Sequence, residues 1–144
     1  TGNVSYEPDN HETMTQVRAR KVAGIAKDIA PVQVHGEGSD LLVLGWGSTY
    51  GAIRTAVNRI RKGGRQVAHA HLRHLNPFPE NLGEVLAAYD HVLIPEINTG
   101  QLAHLIRAKY LVPTIGYNRV QGLPMKAREI ETAILEILDG EVNA

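Results

Sequence analysis

LLVLGWGSTYGAI, Leu41 to Ile53, is an apolar run that meets a glycine-rich corner at Gly45-Trp46-Gly47-Ser48 and passes directly into an amphipathic pattern. The continuous apolar residues predict a strand covered on both faces. Ile53, Ala56, Val57 and Ile60 then follow the i, i+3, i+4, i+7 spacing of a helix with one buried stripe. A strand feeding a helix N-terminus gathers backbone N–H groups around a point where an anion can sit. With Ser48 read as the helix cap, the corner at Gly47-Ser48-Thr49 adds two hydroxyls to those groups. The same order disfavours a dinucleotide, whose fingerprint needs a third glycine at position 50 and an acidic residue about 20 positions later. Position 50 is Tyr50, the glycine falls at Gly51, and the next strand brings His69, His71 and Arg73 instead. No Walker lysine follows the corner, which argues against ATP or GTP.

The strand–helix rhythm continues downstream. Gly63-Gly64 ends the first helix as a left-handed C-terminal turn requires. Gln66–Leu72 predicts a strand, Asn76-Pro77-Phe78-Pro79 a stiff loop, and Leu82, Val85, Leu86 and Tyr89 a helix. Val92–Ile94 runs as a strand into Pro95-Glu96, and Asn98-Thr99-Gly100 opens a helix carrying Leu102, Leu105 and Ile106. Pro113–Tyr117 is the last strand, and Ile130, Ala133, Ile134 and Ile137 mark a final helix closed by Gly140. Upstream, Asn10 as N-cap and Glu12 in the first turn start a helix that runs to about Ile29, with Met14, Val17, Val22, Ile25 and Ile29 on one broad arc. Pro31 stops it, Val32–His35 is a short strand, and Gly36–Ser39 turns the chain. Alternating strands and helices with short links predict an α/β fold, a largely parallel sheet with helices on both faces.

The 144 residues suit one α/β domain, with residues 1–30 as linker and leading helix and 31–144 as the domain proper. Fifteen basic residues balance fifteen acidic ones, which removes the simplest case for nucleic acid or an anionic membrane as partner. There is no cysteine, so disulfides, thiol nucleophiles and thiolate-ligated zinc or iron–sulfur centres are excluded from this chain. A cytoplasmic setting is expected. The polar opening TGNVSYEPDN reads as the end of a linker, and the chain is expected to be a piece of something longer.

Ligands of open parallel sheets sit beyond the carboxyl ends of the strands. Those ends hold the unusual segments: Gly45–Thr49, Arg73–Pro79, Glu96–Gln101 and Tyr117–Leu123. His69 and His71 share a strand face, but with His74 past the strand end and no carboxylate within this run, packing is a better reading than a metal site. Glu96 is either a buried general base, a cap for a neighbouring helix or a partner for an arginine. Ser48 lacks the glycines two residues on either side that a nucleophile elbow needs. Arg54, Arg59, Arg61, Lys62 and Arg65 read as a solvated basic face near a helix C-terminus. Trp46 and Tyr50, with Pro77, Phe78 and Pro79 opposite, are expected to form a partly apolar ledge that meets another domain.

GWGSTYGAI, VAHAHLRHLNPFP, VLIPEINTGQLAHLIRAKYL and NRVQGLP, in that order, resemble the C-terminal part of the alpha subunit of 2-oxoacid:ferredoxin oxidoreductases, in particular the 2-oxoglutarate branch. DNHETMTQVRARKVAGIAKDI resembles the helix that precedes that domain. The resemblance implies a three-layer α/β/α domain like the transketolase C-terminal domain. Its sheet has five strands, mostly parallel with one antiparallel strand, a place that suits Val32–His35. It also implies a holoenzyme with thiamine diphosphate, magnesium and a [4Fe-4S] cluster, in which alpha and beta subunits convert a 2-oxoacid and coenzyme A to an acyl-CoA and reduce ferredoxin. No catalytic or metal-binding residue is expected in this segment, which lacks both cysteine and an acidic-glycine-asparagine motif for magnesium and diphosphate. The expected role is structural and subunit-contacting. The residues expected to touch a ligand or interface are Gly47, Ser48, Thr49, Arg73, Asn98 and Gln101. Two other classes remain open, a stand-alone phosphate- or nucleotide-binding module and a dehydrogenase domain.

Overall fold

A computed structural model describes residues 2–36 and 40–140. Of the expected turn at 36–39 only Gly36 is therefore described, and residues 141–144 lie outside. The elements are α1 (Pro8–Gly24), a turn of 3-10 helix (Ile25–Asp28), β1 (Val34–His35), β2 (Leu41–Trp46), a 3-10 turn (Gly47–Thr49), α2 (Tyr50–Lys62), β3 (Ala68–Leu72), α3 (Leu82–Ala87), β4 (His91–Glu96), α4 (Gln101–Tyr110), β5 (Ile115–Asn118) and α5 (Ala127–Leu138).

The five strands form one sheet in the order β1-β3-β2-β4-β5. β3, β2, β4 and β5 are parallel, and β1 runs antiparallel on the edge, Val34 opposite Ala70 and His35 opposite His69. β2 is central and its first five residues are fully buried, as its unbroken apolar run requires. Alternation along the strands sends Leu42, Leu44, Ala68, Ala70, Val92 and Ile94 to one face, where Leu82 and Leu86 of α3 and Leu102, Ala103 and Ile106 of α4 cover them. Leu41, Val43 and Leu93 point the other way, against Ile53, Ala56, Val57 and Ile60 of α2 and Ile130, Ala133, Ile134 and Ile137 of α5. Each fully buried leucine or isoleucine contributes about 1.5–3 kcal/mol, so these two layers hold the molecule together. No described helix is long and apolar enough to cross a membrane.

Several expectations shift. α1 begins two residues before Asn10, with Pro8 in its first turn and Glu7 at the cap, and it gives way to 3-10 geometry after Gly24. Its apolar arc is not covered: none of its residues is buried. The edge strand is two residues rather than four, and β3 starts at Ala68. α2 ends as expected: Gly64 takes φ +86 and the Arg65 N–H reaches back to the Ile60 carbonyl at 3.3 Å. Leu105 is half exposed, and Ala103 takes its place in the α4 stripe. The basic cluster is distributed among partners. Arg59 pairs with Glu131 at 2.8 Å, bridging α2 to α5, and Arg65 with Asp139 at 2.9 Å, joining the residues just past the ends of those helices, while Arg61 donates to the Val67 carbonyl at 3.2 Å.

Candidate functional site

Two strand-to-helix corners stand side by side at the carboxyl edge of the sheet, β2 into α2 and β4 into α4. In the second, Pro95-Glu96 ends a buried strand, and the Glu96 side chain turns onto the helix that follows. Its Oε1 accepts from Leu102 N–H at 2.9 Å, Asn98 Nδ2 at 3.1 Å and the Trp46 indole at 3.2 Å, and Oε2 accepts from Ala103 N–H at 3.1 Å. Asn98 Oδ1 accepts from Gly100 N–H at 2.7 Å and Gln101 N–H at 3.0 Å. The next amide, His104 N–H, already bonds within the helix to the Gly100 carbonyl. All four amide donors ahead of it are thus taken by side chains from the same loop. Glu96 is fully buried and acts as the counter-charge of the α4 dipole, which selects the capping reading over the general base.

The first corner is built differently. Gly47 holds φ +58, where a glycine is at home, and its missing side chain would face open space. Thr49 is buried and folds back on the corner: its Oγ1 donates to the Trp46 carbonyl at 2.8 Å and accepts from Trp46 N–H at 3.3 Å. Ser48 is exposed and does not cap α2. Thr49 occupies the cap position, and no side-chain cap bond is present there. This corrects the expectation that Ser48 is the cap. The hydroxyl that the turn needs is the one three residues after the start of the corner, and Thr49 supplies it.

Beneath the α2 N-terminus lies a cluster of rings. Register places His69 opposite Val43 and His71 opposite Gly45, both on the α2 face. Tyr50 stands over them, 5.6 Å from His69 and 5.0 Å edge-on from His71 between ring centroids, and His35 flanks His69 at 6.3 Å. His69 is fully buried, and neither of its ring nitrogens has a hydrogen-bond partner among the described residues. Burial, then the nearby His71, Arg54 and His35, pull its pKa from 6.5 down to about 4. Burial also lowers His71, opposed by a hydrogen bond to the Gly47 backbone. The chain thus keeps His69 neutral, as a packed aromatic. Among the described residues no three His, Asp or Glu side chains are grouped so as to hold a metal.

An open cleft of about 870 Å³ lies alongside this corner, between the segment Ile29–Gln33 and the end of β3. Its lining includes His35, Trp46, Gly47, Tyr50, His71, Arg73 and His74, and among the described residues no carboxylate lines it. Of the six expected contact residues, the structure brings Gly47 and Arg73 to this cleft. Ser48 is beside it in the chain, and the Thr49 hydroxyl is engaged within the corner. Asn98 and Gln101 belong to the other corner, where Asn98 has both ends of its amide engaged and the Gln101 side chain is exposed. The expected ledge divides. Trp46, Tyr50 and Pro79 line the cleft, whereas Phe78 is buried 5.9 Å from Tyr110 with Lys109 over its ring. The bond from Trp46 to Glu96, which ties the two corners together, had no signal in the sequence, because its partners lie 50 residues apart.

Residues 39–130 match the family model described as pyruvate:ferredoxin oxidoreductase core domain II. The chain is 46% identical over 142 residues to the 2-oxoglutarate oxidoreductase subunit KorA of Mycobacterium tuberculosis, covering 99% of this chain and 22% of that protein. It is 28% identical to 2-oxoacid:ferredoxin oxidoreductase 1, subunit alpha, of Aeropyrum pernix, over 95% of this chain and 23% of the relative. Among solved structures, the 2-oxoglutarate:ferredoxin oxidoreductase of Magnetococcus marinus, with 2-oxoglutarate, coenzyme A and succinyl-CoA bound, superposes with a TM-score of 0.87 at 32% identity, over 94% of this chain and 24% of that one. A split-gene transketolase superposes at 0.58 and 18% identity, over 77% of this chain and 42% of that one, a likeness of fold alone. The chain therefore spans about a quarter of the length of the oxidoreductase relatives it matches. With its five-strand sheet, single antiparallel edge and two corners in place, the chain belongs to the pyruvate:ferredoxin oxidoreductase core domain II family.

Proposed function

We propose that this chain is the core-domain-II part of the alpha subunit of a 2-oxoglutarate:ferredoxin oxidoreductase, an enzyme that converts 2-oxoglutarate and coenzyme A to succinyl-CoA and carbon dioxide and passes two electrons to ferredoxin. The observation that carries the assignment is the 46% identity to a 2-oxoglutarate oxidoreductase subunit across nearly the whole chain. The match to the Magnetococcus enzyme points to the same substrate.

Thiamine diphosphate, magnesium and a [4Fe-4S] cluster are the groups such a holoenzyme would use, and the residues here do not fit them. The chain has no cysteine to ligate a cluster. Glu96, its buried carboxylate, is committed to four donors and has no place for a magnesium ion. The chemistry therefore belongs to the remainder of the alpha subunit and to the beta subunit, in the cytoplasm. This domain supports them as a rigid α/β block and a surface for subunit contact. Gly47, Ser48, Arg73 and the side chain of Gln101 are the groups on that block still free to meet a ligand or a neighbour. Thr49 shapes the β2–α2 corner and Asn98 the β4–α4 corner.

The test is a substrate panel with the complete alpha and beta subunits. Ferredoxin reduction that requires coenzyme A and favours 2-oxoglutarate over pyruvate supports the reading. Preference for pyruvate overturns the substrate, and tight binding of a nucleotide by this domain, measured by calorimetry, favours a stand-alone binding module instead.

A further inference from the structure

Helix α1 buries none of its 17 residues and has no side-chain cap at its N-terminus. In proteins most of a helix's stability comes from packing one of its faces. Its local support is slight: Thr15 Oγ1 donates to the His11 carbonyl, and Gln16 Nε2 to Glu12 Oε1, both exposed. Yet at about 100° per residue Met14, Val17, Val22 and Ile25 fall on one arc, and they stand 40–46% exposed. Arg18 and Lys21 lie within that arc, and neither has an ion-pair partner among the described residues. The chain then continues to Ile29–Gln33, which form a wall of the 870 Å³ cleft. The apolar arc, the unpaired cations and the cleft wall are successive parts of one segment.

From this we infer that the Met14–Val17–Val22–Ile25 arc is a docking face for the remainder of the alpha subunit, whose matching surface is apolar with carboxylates set among its apolar groups. The inference rests on the subunit reading above. The carboxylates answer Arg18 and Lys21, whose stems lengthen the apolar contact. Two observations favour this occupant. The KorA relative is matched over 99% of this chain, helix included, yet that match accounts for only 22% of the relative. The superposition on the Magnetococcus enzyme covers 94% of this chain, too much to leave out all 17 residues of α1, so at least part of the helix has a counterpart in a far larger molecule.

The test uses the complete alpha and beta subunits carrying single cysteines, in separate variants, at Met14, Val17 or Val22 on the arc, and at Gln16 or Arg20 on the opposite side. Reaction of each with a maleimide is followed by mass spectrometry of the peptide that holds it. The arc positions should react at least about tenfold more slowly than the opposite ones in the folded complex and equally after denaturation. That protection should persist when the beta subunit is removed and on dilution. Equal rates on the two sides overturn the inference. So does protection lost with the beta subunit or on dilution, which gives the face to that subunit or to a second copy. As a second readout, Val17→Asp should lower the thermal midpoint of the complex by several degrees while Arg20→Gln leaves it in place. Unchanged midpoints for both contradict the proposal. Labelling does not depend on turnover, so a different preferred 2-oxoacid would sink the functional reading and leave the docking face intact.

Discussion

The two corners at the carboxyl edge of the sheet start from the same material, a buried strand, a glycine at positive φ and a helix, and end in opposite conditions. At the β4–α4 corner the protein supplies its own anion, and Glu96 with Asn98 takes every amide ahead of the first helical bond. At the β2–α2 corner the cap bond is missing, Ser48 faces solvent, and a cleft that no carboxylate lines among the described residues opens beside Gly47. A helix N-terminus is an anion site only while its amides are vacant. One corner is a joint and the other a surface. Glu96 also holds the Trp46 indole, so the joint fixes one wall of the surface.

The largest effect that tests this contrast is expected at Glu96. Glu96→Ala leaves four donors facing a buried gap and should cost about 3–4 kcal/mol in urea unfolding. The same truncation at exposed Ser48 should cost less than about 0.5 kcal/mol. Similar costs at the two positions would mean that the corners do not differ as described.

The ring cluster beside the open corner makes stability depend on pH. His69 has a folded pKa of about 4 against 6.5 unfolded, so between those values the unfolded chain binds the extra proton. Stability is then complete above pH 6.5 and falls as pH drops toward 4, by about 1.4 kcal/mol per unit and about 3 kcal/mol in all. His71 shifts in the same direction. His69→Leu should flatten this decline over pH 6.5 to 4, read from unfolding midpoints across the range. An unchanged slope would show that His69 is not the group responsible.

The two glycines offer a finer comparison. Gly100 sits at φ +91, and a Cβ there would lie 2.9 Å from Asn118 Nδ2, whereas Gly47 at φ +58 would point a Cβ into empty space. Gly100→Ala should cost about 2–3 kcal/mol and Gly47→Ala about 1 kcal/mol, the backbone term alone. Equal losses would show that the closed corner has slack. The smallest effect is expected at the ion pair just past the ends of α2 and α5. Arg65→Ala breaks an exposed pair with Asp139 and should shift stability by less than about 1 kcal/mol, an effect that weakens further in salt.

The layers of this molecule were legible because they rest on periodicity, which is local. The Ile53–Ile60 and Ile130–Ile137 stripes are buried residue for residue. The edge strand was readable from the residues as a short strand, but its antiparallel place came only through family resemblance, since two residues carry no period. α1 shows the limit from the other side: an apolar arc in the sequence announces a covered face, but not whether the cover lies in the same segment. The site was less legible still. Glu96 was visible as an isolated carboxylate after an apolar strand, but its choice between cap and base depended on the position of the α4 amides and of Trp46. Ser48 and Thr49 both suit a corner, and only the turn geometry assigns the bond to Thr49.

Turnover by the separated parts addresses the central claim most directly. The complete alpha and beta subunits should reduce ferredoxin with 2-oxoglutarate and coenzyme A, while this 144-residue segment alone should show no 2-oxoglutarate-dependent electron transfer under the same conditions. Turnover by the segment itself would contradict the account, because it would place the reacting centre on a chain that reads here as the support for one.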